Sequence, residues 1–207
     1  MAPPPLDLAE FRLLQALRAD PAGPAFTQLW NAQAGAGWSV FRALVDRDDD
    51  AIGWMATFRL DLAERAQGLR VDEGVAPQVG RALYEHALPA FSGPGVLPTD
   101  TLTPDEAGIR ALPTSARLAY LVDLFFDWTP PDPAVVAVYR LLEPAEDTNA
   151  RLLVHTALLR NPPAEALMLP PGFSPSHYRP PIGLRVLWPW LLGALLAAVL
   201  SGASAFW

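Results

Sequence analysis

The sequence predicts an all-α protein: a multi-helix soluble domain of about eight to ten short helices, then a proline-rich spacer and one C-terminal transmembrane helix. Three observations predict this fold class. Helix-capping patterns recur along the chain, period-two alternation of apolar and polar residues is nearly absent, and 23 prolines and 14 glycines divide the apolar stretches. With 207 residues, the chain has room for one ordinary domain and an appendage.

The first half of the domain contains five predicted helices, at 7–20, 24–34, 38–44, 50–62 and 77–88. Asp7 and Glu10 form a capping box at the start of the first helix. Gly35 and Gly37 are predicted to separate the second helix from the third. Asp50 is predicted to cap the fourth.

The second half follows a loop at residues 92–102, which is a candidate boundary between two helical halves. Its strongest local signal predicts Thr103 as an N-cap, Pro104 as the first helical residue and Glu106 as the capping-box acid. The predicted helices are 104–111, 115–128, 133–143, 149–160 and 163–168. The helix at 115–128 is apolar on nearly every side, so we expect it at the centre of the core.

The C-terminal residues are predicted to cross a membrane. The predicted segments are an N-terminal tail, the acidic helical domain, the spacer and the transmembrane helix, at residues 1–6, 7–168, 169–184 and 185–207. From Val186 to Trp207 no residue is charged, and such a helix would be about 33 Å long against about 30 Å of hydrocarbon. Arg185, Trp188 and Trp190 at one end and Trp207 at the other are typical interfacial anchors. The alternative, a buried core helix, is disfavoured because core helices rarely run so long without a charge.

The basic residues flanking this segment predict its orientation. Arg179 and Arg185 precede it, and no basic residue follows it. The positive-inside rule then places the N-terminal domain in the cytoplasm. The N-terminus also lacks the basic and apolar regions of a signal peptide. Because a composition rich in Ala, Pro, Gly and Arg without lysine is typical of a GC-rich bacterial genome, we expect a single-pass protein of the bacterial inner membrane.

One face of the predicted transmembrane helix consists of small residues, which are Gly193, Ala194, Ala197, Ala198, Ser201, Gly202 and Ala205. Small residues let two helix backbones approach closely, and this packing stabilises helix association in lipid. The stripe therefore favours docking against a transmembrane helix of another membrane-protein subunit. The alternative is that Ala and Gly are simply common in membrane segments of GC-rich genomes.

Composition and charge exclude several classes of function. The absence of cysteine excludes disulfides, zinc–thiolate sites, iron–sulfur clusters and thiol catalysis. Residues up to Glu165 contain 13 arginines and 22 acids, a balance of 13 − 22 = −9, which disfavours nucleic-acid binding. The predicted membrane segment contains no side chain that could ligate haem or relay protons. We therefore expect no cofactor.

Few residues are candidates for chemistry. The acidic run that begins at Asp46 fits a calcium loop poorly, because Ala51 and Thr57 replace the required Gly and Glu. A solvated loop that ends at the helix cap Asp50 is the better interpretation. Asp123 and Asp127 are four residues apart and are predicted to share one face of the core helix. They are either a catalytic acid pair or the solvent-exposed polar stripe of an otherwise buried helix. The three histidines, His86, His155 and His177, belong to no metal motif.

No enzyme motif is present, so the first hypothesis is a non-catalytic accessory or scaffold subunit of a membrane complex, such as a bacterial respiratory or photosynthetic one. The second is a tail-anchored cytoplasmic adaptor or regulator whose acidic domain binds a soluble partner. The third is a membrane-bound enzyme that uses Asp123 and Asp127.

Overall fold

The computed structural model describes residues 8–92, 102, 105–142 and 148–168 of the chain. These residues form helices and no β-strand, which confirms the all-α prediction. The helices are α1 (Leu8–Ala19), α2 (Pro24–Leu44), α3 (Asp48–Arg65), a 3₁₀ turn (Ala66–Gly68), α4 (Val75–Phe91), α5 (Glu106–Ala111), α6 (Thr114–Phe126), α7 (Pro133–Tyr139), α8 (Thr148–Leu158) and α9 (Ala164–Leu167).

Helix α6 is the central helix of the core, as its composition predicts. Nine of its 13 residues are buried, and α2, α4, α7 and α8 all pack against it. The most extensive of these contacts is with α4, where Gly80 lies against Phe126. Helices from before and after residues 92–102 therefore contribute to one hydrophobic core.

Helix α2 corrects the predicted break at Gly35 and Gly37. The helix is continuous over 21 residues and passes through both glycines. Gly37 is buried, and a β-carbon there would lie 3.4 Å from the Met55 sulfur of α3. Two glycines cost only about 1 kcal/mol each in helix propensity, and burial of the apolar face of α2 outweighs that cost.

Two predicted N-caps are displaced in the structure. The N-cap of α3 is Arg47, so Asp50 lies in the first turn rather than at the cap, together with two other carboxylates. Acidic side chains at this end of a helix are stabilised by the helix dipole. The N-cap of α5 is Asp105 rather than Thr103, and its Oδ1 accepts a hydrogen bond from the Gly108 N–H at 2.8 Å.

The predicted helix at 133–143 is shorter in the structure. Helix α7 ends at Tyr139, and the Leu141 carbonyl accepts a hydrogen bond of 2.8 Å from the Leu102 N–H. This contact belongs to an isolated parallel bridge between Leu102 and Leu142. The Leu141 and Leu142 N–H groups donate to the Val138 and Tyr139 carbonyls three residues earlier, so the α-helical i−4 pattern has already ended here.

Among the described residues, no helix combines the length and apolar composition required to cross a bilayer. The predicted spacer at 169–184 and transmembrane helix at 185–207 lie outside these residues, as does the capping residue Asp7.

Candidate functional site

The predicted acid pair is the first candidate site, and the structure surrounds Asp123 with hydrogen-bond donors. The Asp123 side chain is 13% exposed. It accepts hydrogen bonds from the Thr129 hydroxyl at 3.0 Å and the Tyr139 hydroxyl at 3.3 Å. An Arg151 guanidinium nitrogen lies 3.4 Å from its Oδ2. Asp123 of α6 thus contacts α7, α8 and the loop after α6.

Asp127 does not share a helical face with Asp123, which corrects the predicted pair. It is the C-cap of α6, with a left-handed φ of 54°. Asp and Asn are the non-glycine residues that adopt this conformation most readily. The Asp127 side chain is 93% exposed, and its carboxylate lies 3.6 Å from Arg151. The two carboxylates therefore meet at one guanidinium, and they do not form a buried acid pair that could share a proton.

Tyr139 is the other titratable group of this cluster. Burial, followed by the charge of Asp123 and the hydrogen bond to it, raises the pKa of Tyr139 to about 12. The phenol therefore stays protonated at neutral pH and donates to Asp123. The cluster therefore links α7 and α8 to α6 through a hydrogen bond and an ion pair.

A second cluster, which the sequence analysis did not identify, surrounds His86. The ring lies between α3 and α4, with Nε2 3.2 Å from the Thr57 hydroxyl and Nδ1 3.4 Å from Asp61 Oδ2. Arg65 Nε is 3.1 Å from the same carboxylate oxygen. The available signal was weak: Thr57 and Asp61 share one helical face, but His86 lies on another helix.

A hydroxyl, an imidazole and a carboxylate in this order resemble a hydrolytic triad, yet the hydroxyl is committed elsewhere. The Thr57 hydroxyl lies 3.0 Å from the Trp54 carbonyl and 3.3 Å from the Gly53 carbonyl of its own helix. The His86 ring packs edge-on against Trp54 at 5.7 Å. This geometry fits a polar link between α3 and α4 better than an activated nucleophile, whose hydroxyl proton must point to the base.

The charge on Asp61 is stabilised within this link. Burial acts to raise the pKa of Asp61, but the contacts with His86 and Arg65 outweigh it and lower the pKa. Arg65 also contacts Glu85 of α4, so two side chains join the helices at this point.

The remaining candidates show no such assembly. The acidic run is a loop only at Asp46, because α3 already begins at Asp48 rather than at the predicted cap Asp50. Asp48 contacts Arg42, and Asp49 contacts Arg47. The described residues contain no group of three or more His, Asp and Glu side chains placed to hold a metal ion. His155 packs its ring against Phe125 at 4.9 Å. The predicted packing face, the four interfacial anchors and His177 lie outside the described residues.

The chain matches no protein-family model, no curated protein and no solved structure, so the proposal for its function rests on its own residues.

Proposed function

We propose that the protein is a non-catalytic accessory subunit, which one C-terminal transmembrane helix tethers to a membrane complex. The observation that carries the proposal is the uncharged segment Val186–Trp207, which follows a helical domain with its own core. Its small-residue stripe, which includes Ala198 and Gly202, is the contact proposed for a partner's transmembrane helix.

The two polar clusters support a non-catalytic role. Asp123 is surrounded by Thr129, Tyr139 and Arg151, and these contacts link α6 to α7, to α8 and to the loop after α6. The His86 cluster likewise links α3 to α4. A catalytic side chain needs an atom that can contact substrate, whereas the polar side chains of these two clusters hydrogen-bond to other residues of the domain.

The distribution of exposed apolar side chains supports contact with a membrane partner. Among the described residues, four of the six exposed large apolar side chains lie within residues 152–168: Leu152, Leu153, Leu159 and Met168. These residues immediately precede the spacer that leads to the proposed tether. We assign the two exposed leucines of α8, Leu152 and Leu153, which we call the α8 apolar surface, to contact with the extramembrane face of the same membrane-protein partner.

Membrane fractionation of the full chain tests the tether. The full-length protein should stay in the membrane pellet after alkaline carbonate extraction, and a chain ending at Met168 should not sediment with membranes. A full-length chain released by carbonate would overturn the proposed tether.

Copurification from gently solubilised membranes tests the docking face. Replacing Ala198 and Gly202 with Leu should remove the partner subunits, because bulky side chains keep the helix backbones apart. The matched control replaces Leu192 with Ile and Val199 with Leu, away from the stripe, and should keep the native-sized complex. If both double variants keep it, the docking face is wrong.

The second candidate function is a tail-anchored adaptor, which the α8 apolar surface also supports. In that case the apolar surface binds a soluble partner protein and the transmembrane helix serves only as an anchor. A polyleucine anchor should then preserve binding, whereas Leu153→Ser, at a side chain 72% exposed, should abolish it. If the protein is an accessory subunit instead, the polyleucine anchor should abolish binding, because the native small-residue face is then part of the contact.

A further inference from the structure

Helices α2 and α5 and the end of α8 enclose a cavity of about 90 Å³. Its lining residues are Ser39, Arg42, Ala43, Glu106, Ile109, Arg110, Leu158 and Arg160. One water molecule needs roughly 10–15 Å³ of such volume, so the cavity has room for a small polyatomic ion. None of these residues belongs to the two clusters described above.

The lining carries an excess of positive charge. Among the described residues of the lining, Arg42 of α2, Arg110 of α5 and Arg160, which follows α8, face one carboxylate, Glu106. Asp48, beside the lining, pairs with Arg42, so the balance of these five groups is 3 − 2 = +1. The whole chain has a formal charge of −7. A local excess of this size within an acidic protein attracts anions to one place on its surface.

Glu106 occupies only part of the donor capacity of the guanidiniums. One nitrogen of Arg110 lies 3.1 Å from Glu106 Oε1, and one nitrogen of Arg160 lies 3.5 Å from Oε2. Arg42 contacts the Asp48 carboxylate and donates to the Val45 carbonyl at 3.0 Å, and both acceptors are outside the lining. Each guanidinium carries five N–H donors in a planar fork, so a single carboxylate cannot satisfy all three.

The buried Ser39 hydroxyl holds this arrangement in place. Ser39, which is 3% exposed, accepts a hydrogen bond of 2.8 Å from the Arg160 N–H. Its hydroxyl donates to the Gly35 carbonyl at 2.9 Å. These bonds fix the chain after α8 against α2, so the cavity is built into the fold.

A fourth arginine lies behind the cavity. The Arg117 guanidinium donates to the carbonyls of Ile109 at 3.1 Å and Leu112 at 3.2 Å. Burial, followed by the charge of Arg110, lowers the pKa of Arg117, whereas Asp46 acts in the opposite direction. Its contacts with Ile109 and Leu112 use neutral acceptors, so among the described residues only the more distant Asp46 offsets its positive charge near the cavity.

We propose that this cavity binds a phosphate group through Arg42, Arg110 and Arg160. The excess of guanidiniums over carboxylates favours an anion, and three guanidiniums offer the several donors that phosphate oxygens require, whereas a carboxylate needs fewer. The group could belong to a free phosphate ion or to a phospholipid headgroup. The site does not depend on the proposed tether or on its partner.

Thermal unfolding of the full-length protein in detergent micelles tests the site. Inorganic phosphate should raise the melting temperature progressively with concentration, compared with chloride at equal ionic strength, because a ligand of the native state stabilises it. Arg160→Gln and Arg110→Gln should each weaken phosphate binding about tenfold or more, since each removes charge-assisted hydrogen bonds.

Two further variants make the test specific. Arg70→Gln removes an exposed arginine, which pairs with Asp72 outside the cavity, and should leave the affinity for phosphate unchanged. Glu106→Gln removes the competing carboxylate and should increase the affinity. A general effect of protein charge would make Arg70→Gln resemble Arg160→Gln, and that result would overturn the proposal.

A short-chain phosphatidic acid, compared with the phosphatidylcholine of equal chain length, distinguishes the two sources. If inorganic phosphate raises the melting temperature of the protein, the ligand of the cavity is a free phosphate ion. If only phosphatidic acid raises the melting temperature, and Arg110→Gln removes this effect, the ligand is a phospholipid headgroup. If neither ligand stabilises the protein, the cavity is not a phosphate site.

Discussion

Gly80 of α4 lies directly against Phe126 of α6, so closely that a β-carbon at Gly80 would be 2.5 Å from the Phe126 β-carbon. The same β-carbon would lie 3.3 Å from Val122. Neither neighbour can move easily, because Phe126 and Val122 are at most 1% exposed. The absence of a side chain at Gly80 therefore sets the distance between the two helices that form the centre of the core.

Gly80→Ala should destabilise the protein by about 1–3 kcal/mol, because the added methyl group overpacks the interface between α4 and α6. Gly35→Ala is the matched control, since Gly35 also lies within a helix and a β-carbon there would have no other atom within 4 Å to contact. It should be neutral or stabilise by up to about 1 kcal/mol. Denaturant unfolding of both variants measures the difference, and equal stabilities would contradict this account of the interface.

Asp123→Asn should destabilise the fold by about 1–3 kcal/mol, because Tyr139 and Arg151 would lose a charged acceptor. Asp127→Asn, at the 93% exposed partner of the same arginine, should change the free energy of unfolding by less than about 0.5 kcal/mol. Chemical denaturation compares them. A catalytic acid pair predicts instead that both changes abolish function while both proteins remain equally stable.

The raised pKa of Tyr139 predicts a loss of stability in alkali. The folded phenol keeps its proton up to a pKa of about 12, while the unfolded one titrates near 10. The folded state therefore binds more protons between these values, and its stability falls as the pH rises through this window, by at most about 2.7 kcal/mol.

Tyr139→Phe should remove this alkaline component, while it lowers stability at neutral pH through loss of the hydrogen bond to Asp123. Urea unfolding between pH 9 and pH 12 measures both effects. An unchanged slope of stability against pH in the variant would show that another group causes the alkaline loss.

The lowered pKa of Asp61 predicts the opposite pH dependence. A carboxylate whose pKa is lowered on folding stabilises the protein above its unfolded pKa, and this contribution is lost as the pH falls through the folded pKa. Asp61→Asn should be less stable at pH 7 and should lose less stability on acidification. Glu64→Gln, an exposed position on the same helix, is the control for removing one carboxylate, and denaturant unfolding of both variants in acid measures the difference.

Local signals predicted much of the fold. Capping residues and prolines act over a few residues, so the positions of α6, α8 and α9 agree with the sequence to within about two residues at each end. The central place of α6 also followed from its apolar composition. The sequence did not predict that α2 is continuous, because the helix is stabilised at Gly37 by packing against Met55 of another helix.

The candidate sites were less predictable, for the same reason. The spacing of Asp123 and Asp127 assumed a helix that continues past Phe126, but the chain turns into a left-handed conformation at Asp127. The contacts of His86 with Thr57 and Asp61, and the convergence of Arg110 and Arg160, join residues that are far apart in the chain. No local pattern encodes such contacts.

By itself, the sequence determined the helical class, most helix positions and the uncharged C-terminal segment, since these depend on propensity, capping and composition over short stretches. Only the tertiary structure decided where α2 continues, which charged groups meet and where a cavity lined by arginines lies. Those features arise because burial of apolar faces brings distant residues together, and the polar side chains near them then pair with whichever groups the packing provides.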